Sequence, residues 1–406
     1  MNRKKLILPS LAIAALLGLA GCASGGGDSA ANEVAADATP VEDGTLTYFA
    51  NTELPVWDGQ RIPSLNANSI NSSIFDTLIA QDEDGTYKPG LATDWEISED
   101  GLTYTFTLRD DVTFHDGSPF NAEVLKQNID RPLNEPDLAT VSNGIAETKV
   151  VDENTLEVKL SRQNAGLIHA FATPHWPIYS GKVLTEHTPA SPELSIGTGA
   201  FKVKEYSKGS KLVLERNEDY NWAPETWDHQ GAAYLDEVTI QFVPETQARI
   251  GAITSGQADA IDQVPPLNIP EVEGAGLQIL EKDNTGTPYY VALNPNLAPF
   301  DDKNVRLAFR DAIDIDGLLD GVYAGVYDKA WSTTLPGTPP EGAFDETLVD
   351  SWGYDADEAV ELLEKAGYTE VDDEGYRVKD GERLTLNWNV DSLYQQTDQR
   401  QQLGEA

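Results

Sequence analysis

The residues able to do chemistry are scattered. The closest histidines, His169 and His175, lie six apart around Pro174, a spacing that does not put two imidazoles on one helix face. They read as structural histidines, not metal ligands. Asp314, Asp316, Gly317 and Asp320 are similar to a piece of a calcium loop, but the oxygen ligands of a full loop do not continue past them. Helix capping is the simpler role. Asp110-Asp111 could serve as paired acid and base in glycoside hydrolysis, yet among 68 acidic residues such pairs arise by chance. No GxSxG elbow, HExxH pair or GxxxxGK[ST] loop occurs, so the common hydrolase and nucleotide-handling signatures are missing.

Cys22 is the single cysteine, which excludes an intramolecular disulfide, a CxxC pair and a thiolate zinc site. Its position explains it. Arg3, Lys4 and Lys5 precede an apolar run from Leu6 to Leu19, too short for a spanning helix but suited to a signal peptide. Leu19-Ala20-Gly21-Cys22 then has the form of a bacterial lipobox, in which Cys22 receives a diacylglyceryl group and becomes the new N-terminus. An ordinary secretory leader that happens to contain a cysteine is the alternative. Residues 1–21 carry three cations and no anion, so their removal takes the net charge from −40 to −43. That balance repels nucleic-acid phosphates and anionic lipid headgroups, so no nucleic-acid partner is expected and membrane attachment is expected through lipid only. No cofactor is expected.

The 406 residues, 40% of them hydrophobic, are enough for more than one domain. Residues 22–44 form a lipidated flexible tether, small, polar and acidic. Core strands begin at Thr45. Trp95–Ile97 and Leu102–Leu108 are joined through Asp100-Gly101, a hairpin turn pair, with Tyr104, Phe106 and Leu108 on one face. Asn121 caps the helix that follows. Residues 147–161 and the stretch turning at Lys208-Gly209-Ser210 read as two more hairpins. From Glu237 to Ile261 the pattern is strand, helix, strand, which demands a parallel pair. Leu277–Lys282, Tyr289–Leu293 and Leu384–Val390 read as further strands, and Asp355 with Glu358 opens a helix ended by Gly367.

Four stretches together resemble the extracellular solute-binding proteins of family 5, the oligopeptide, dipeptide and nickel type that serve ABC importers. They are GLATDWEISEDGLTYTFTLRDDVTFHDGSPFNAEVL (90–125), IGTGAFKVKEYSKGSKLVLERNEDYNW (196–222), PFDDKNVRLAFRDAIDIDGLL (299–319) and YDADEAVELLEKAGY (354–368). The resemblance covers essentially everything after the tether. It implies an α/β, two-lobe periplasmic-binding-protein-like fold (type II, cluster C), with a first lobe at 45–283, an inserted subdomain at about 76–190 and a second lobe at 284–406. Family members are longer, so the chain is expected to be a piece of a longer protein in which the C-terminal part of the second lobe is missing. The missing part includes the acidic residue that pairs with a peptide's amino terminus. Gly197, Gly199, Gly117 and Gly367 are expected in turns or at positive φ.

By position against peptide-binding members, the resemblance implies ligand contacts from Glu53 after the first strand and from Asp262 and Gln263 after the strand–helix–strand unit. Tyr289, Tyr290 and Asn294 lie where the chain enters the second lobe, Trp388 and Tyr394 lie near the last strand, and Trp57 joins them. Aromatic faces suit variable side chains, and Asn and Gln suit peptide amides. The implied protein is a non-enzymatic, monomeric, extracytoplasmic lipoprotein that captures a peptide or other small solute and delivers it to ABC permease subunits with their ATPase. A secreted hydrolase, or a sensory or adhesion lipoprotein on the same fold, is the alternative.

Overall fold

The computed structural model describes residues 40–61, 65–187, 189, 191–281, 285–338, 342–389 and 397–405. Cys22 and Tyr394 lie outside the described residues. In chain order the elements begin with β1 (Gly44–Ala50), α1 (Leu65–Ile74), β2 (Ile79–Gln81), β3 (Tyr87–Pro89), β4 (Ala92–Ile97), β5 (Thr103–Leu108), α2 (Ala122–Asn134), β6 (Ile145–Asp152) and β7 (Thr155–Leu160). There follow α3 (Leu167–Phe171), α4 (Gly181–Glu186), β8 (Phe201–Ser207), β9 (Lys211–Arg216), β10 (Leu235–Phe242), α5 (Thr246–Thr254), β11 (Ala260–Ile261) and α6 (Ile269–Gly274). The last part holds α7 (Lys303–Asp311), α8 (Ile315–Tyr323), α9 (Ala356–Lys365), β12 (Glu370–Val371), β13 (Arg377–Lys379), β14 (Glu382–Arg383) and α10 (Thr397–Glu405).

The main sheet runs β11-β1-β10-β9-β8. β1 is parallel to both neighbours, whereas β8, β9 and β10 are antiparallel. The strand–helix–strand unit from Glu237 to Ile261 therefore forms as expected, with one difference: β10 and β11 are not adjacent, because β1 lies between them. The crossover through α5 thus passes over one strand, which leaves β1 between two parallel neighbours.

A second, antiparallel sheet runs β4-β5-β7-β6. Gly101 turns the β4–β5 hairpin at φ 67°, and Gly209 turns β8–β9 at φ 69°. The alternation of Tyr104, Phe106 and Leu108 buries all three rings or branches against Leu156, Val158 and Leu160 of β7 and Leu125 and Ile129 of α2. Each such side chain contributes about 1.5–3 kcal/mol through burial. α2 starts where expected, with Asn121 Oδ1 accepting from the Val124 N–H at 3.1 Å. Asp355 Oδ1 likewise accepts from the Glu358 N–H at 2.9 Å, and Asp314 Oδ1 from the Gly317 N–H at 3.0 Å, confirming the capping role of both.

Three expectations need correction. Gly197 and Gly199 are not at positive φ. A Cβ at Gly197 would sit 2.2 Å from the Ile74 carbonyl oxygen, and one at Gly199 2.6 Å from the Ile74 carbonyl carbon, so close backbone approach requires glycine at both. Gly117 and Gly367 do take positive φ, 78° and 94°. Second, Leu277–Glu281 and Tyr289–Leu293 form no strand. Third, Leu384–Asn389 forms none either, β14 ending at Arg383. Apolar alternation gives a strand only where a neighbour offers a ladder, and among the described residues none lies beside these segments. Leu280, Tyr289, Tyr290, Val291, Leu386 and Trp388 are left exposed.

Candidate functional site

In sheets with parallel strands, ligands gather outside the strands' carboxyl ends, where loops diverge. Here β1, β10 and β11 end together, with Ala50 opposite Phe242 and Phe49 opposite Ile261. Three loops leave this edge, starting at Asn51, Val243 and Asp262.

One side chain binds the edge together. Arg249, only 2% exposed, projects from the buried face of α5. Its Nη1 donates to the carbonyls of Val243 at 2.8 Å and Pro244 at 2.7 Å, past the end of β10. Its Nε and Nη2 donate to the carbonyls of Asp262 and Gln263, both at 3.3 Å, past the end of β11. The Asp262 carboxylate lies 3.7 Å from Nε, accepts from the Asn51 N–H at 2.8 Å and receives the Tyr48 hydroxyl. Burial pushes the Asp262 carboxyl up in pKa, against the pull of Arg249 and these two donors. Gln263 has φ 54°, a left-handed conformation unusual for a residue with a side chain.

The Asn51 loop is fastened at its other points. Glu53 accepts from the Tyr206 hydroxyl and from the Gly209 N–H at 2.9 Å, so both its oxygens are held by the β8–β9 hairpin. Trp57 is 9% exposed and meets the Tyr206 ring edge-on at 5.2 Å. The structure thus brings Glu53 and Trp57 together on Tyr206, and Asp262 and Gln263 together on Arg249. Glu53, Trp57 and Asp262 have their side chains committed to shaping the edge, because each is bonded or packed within the fold.

Tyr289 and Tyr290 are 61% and 73% exposed. Asn294 Oδ1 accepts from the Asn296 N–H at 3.0 Å, turning the chain there. Trp388 is half-exposed and touches α10, where a Cβ at Gly404 would come 2.5 Å from its Nε1. Among the described residues, no group of three or more His, Cys, Asp or Glu is placed to hold a metal ion. Asp111 is bound by Arg109 through two bonds of 2.8 and 2.7 Å, which removes it as a free acid or base beside Asp110.

Sequence reasoning missed Tyr48, Asn51, Tyr206 and Arg249. Only Arg249 left a signal: an arginine on the Ile250 and Ala252 face of a short apolar helix must find buried acceptors.

Comparison with known proteins identifies the family and the fold. The sequence pattern of the bacterial extracellular solute-binding proteins, family 5 Middle, matches residues 86–406. The glutathione-binding protein GsiB of Salmonella typhi is 29% identical over 311 residues, covering 74% of this chain and 57% of that protein. The chain therefore spans a little over half the length of the curated relatives it matches. Among solved structures, NikA from Brucella suis in complex with Fe(III)-EDTA is 26% identical, covering 84% of this chain and 68% of NikA, with a TM-score of 0.68. The oligopeptide-binding protein AppA from Bacillus subtilis, in complex with a nonapeptide, is 22% identical, covering 85% of this chain and 68% of AppA, also with a TM-score of 0.68. The α/β fold is the two-lobe fold of these proteins, and the chain belongs to family 5 of the bacterial extracellular solute-binding proteins.

Proposed function

We propose that this chain is the solute-binding part of an ABC importer, a non-enzymatic receptor that captures peptides or a similar small solute and hands it to permease subunits driven by an ATPase. The family match over residues 86–406 carries the reading. Peptide-bound relatives such as AppA favour a peptide, while GsiB and NikA keep glutathione and metal chelates as the other candidate classes. Lobes at 45–283 and 284–406, with an insertion at about 76–190, would close on the solute. Gln263, Tyr289, Tyr290, Asn294, Trp388 and Tyr394 supply amide and aromatic contacts, while Glu53, Trp57 and Asp262 keep the first-lobe face in shape. A thermal-shift panel of alanine peptides of two to five residues, glutathione and nickel–histidine tests this. A rise in melting temperature of several degrees with one class is expected; no rise with any class would overturn the reading.

We further propose that Cys22 of the lipobox carries a lipid anchor that holds the protein outside the cell membrane, where it acts as a monomer. Since acylation there supplies all of its bilayer affinity, Cys22→Ser should move the protein from the membrane fraction to the medium. Retention of the mutant in the membrane would reject anchoring through this residue.

A further inference from the structure

We propose that Arg249 is the positioning residue of the solute edge, a single guanidinium that joins the carboxyl ends of β10 and β11 and thereby fixes the loops at Asn51 and Gln263. The inference rests on the binding role proposed above.

The geometry requires a planar fork. Nη1 serves Val243 and Pro244 on one side, while Nε and Nη2 serve Asp262 and Gln263 on the other. β1 separates β10 from β11 in the sheet, so no ladder bond couples their ends directly. Arg249 supplies that coupling and passes it to β1 through Asp262, whose carboxylate holds the Asn51 N–H and whose own N–H donates to the Phe49 carbonyl at 3.2 Å. The left-handed backbone at Gln263 shows what the clamp maintains. A side chain disfavours this conformation, and the Gln263 carbonyl is turned toward Nη2. The charged groups facing Arg249 are Asp262 and, more distantly, Glu245, with the Tyr48 hydroxyl alongside. Glu53 is held by the β8–β9 hairpin and does not compete for the guanidinium.

Lysine separates positioning from general support. A compact ammonium can keep the Val243 and Pro244 carbonyls, but it lacks the fork needed to hold the Asp262 and Gln263 carbonyls at the same time. In Arg249→Lys, amide hydrogen exchange at Asn51 and Asp262 should quicken about tenfold, a shift of about 1.4 kcal/mol in local opening. Amides of α5 and of the Tyr104–Phe106 ladder should exchange as in the unaltered chain. Arg249→Met should loosen both ends, and if it fails to fold, the lysine variant decides. Trialanine titrated by calorimetry should bind Arg249→Lys about tenfold more weakly than the unaltered protein. Unchanged exchange at Asn51 and Asp262, or an equal rise at every amide, would overturn the clamp. Failure of the unaltered protein to bind trialanine would count against the peptide reading alone, since the exchange pattern decides the clamp without a ligand.

Discussion

Arg131→Ala should lower folding stability by about 3–5 kcal/mol, the usual effect of breaking one side of a buried ion pair. Asp58 and Arg131 are both buried and joined by two bonds, Nη1 to Oδ1 at 3.0 Å and Nη2 to Oδ2. Arg131 Nε also holds Glu135 at 2.9 Å, and Nη1 reaches Gln60 Oε1 at 3.2 Å. The deletion would leave the Asp58 carboxylate with Arg61 as its remaining cation, at 3.0 Å and partly in water. Urea denaturation should show an earlier transition for Arg131→Ala. Asp58→Ala with Arg131→Ala should lose less than the two single losses added, because neither then strands a charge. A loss under about 1 kcal/mol for Arg131→Ala would mean water screens the pair. The network ties the far end of the Asn51–Arg61 loop to α2, so the same variant should loosen the solute edge.

The second large effect concerns Asp76, at the end of the Ser-Ile-Phe-Asp segment. Its carboxylate accepts from the Tyr220 hydroxyl at 2.8 Å, the Thr198 hydroxyl at 2.8 Å and the Trp222 Nε1 at 3.0 Å. Burial nevertheless outweighs these donors and pushes its pKa up to about 6, from 3.8. The folded state then binds the proton more tightly than the unfolded chain. The stability this group contributes is complete below about pH 4 and is lost as pH rises through about 6. Two pKa units correspond to about 3 kcal/mol. Asp76→Asn carries no titrating proton, so its stability relative to the unaltered chain should improve by roughly 2 kcal/mol between pH 4 and pH 7. Paired urea curves at the two pH values read this directly. A constant difference would mean an unshifted carboxyl, and a change of opposite sign would mean that the three donors outweigh burial.

What the sequence revealed follows the range of the interactions. Caps at Asn121, Asp314 and Asp355 and turns at Gly101 and Gly209 depend on neighbours within a few residues, so side-chain type and spacing were enough to find them. Arg131 meets Asp58 across 73 residues, and Asp76 meets Trp222 across 146. No local pattern encodes either pairing. The strand–helix–strand unit was legible from its alternation, but the insertion of β1 between its strands was not, since strand order is a property of the assembled sheet. For the site, the resemblance pointed to the residues after β1 and β11. It could not show that Glu53, Trp57 and Asp262 turn inward to Tyr206 and Arg249, because those partners come from other elements. The apolar alternation at Leu384, Leu386 and Trp388 misled for the complementary reason, a strand pattern without a described partner strand.

Amide exchange of the protein with and without saturating trialanine tests the central claim most directly. A solute held at the carboxyl edge of β1, β10 and β11 should slow exchange in residues 51–57, 262–266 and 289–294 together, with the β4–β7 sheet unchanged. Bound trialanine that leaves all three segments exchanging as before would contradict a solute site at this edge.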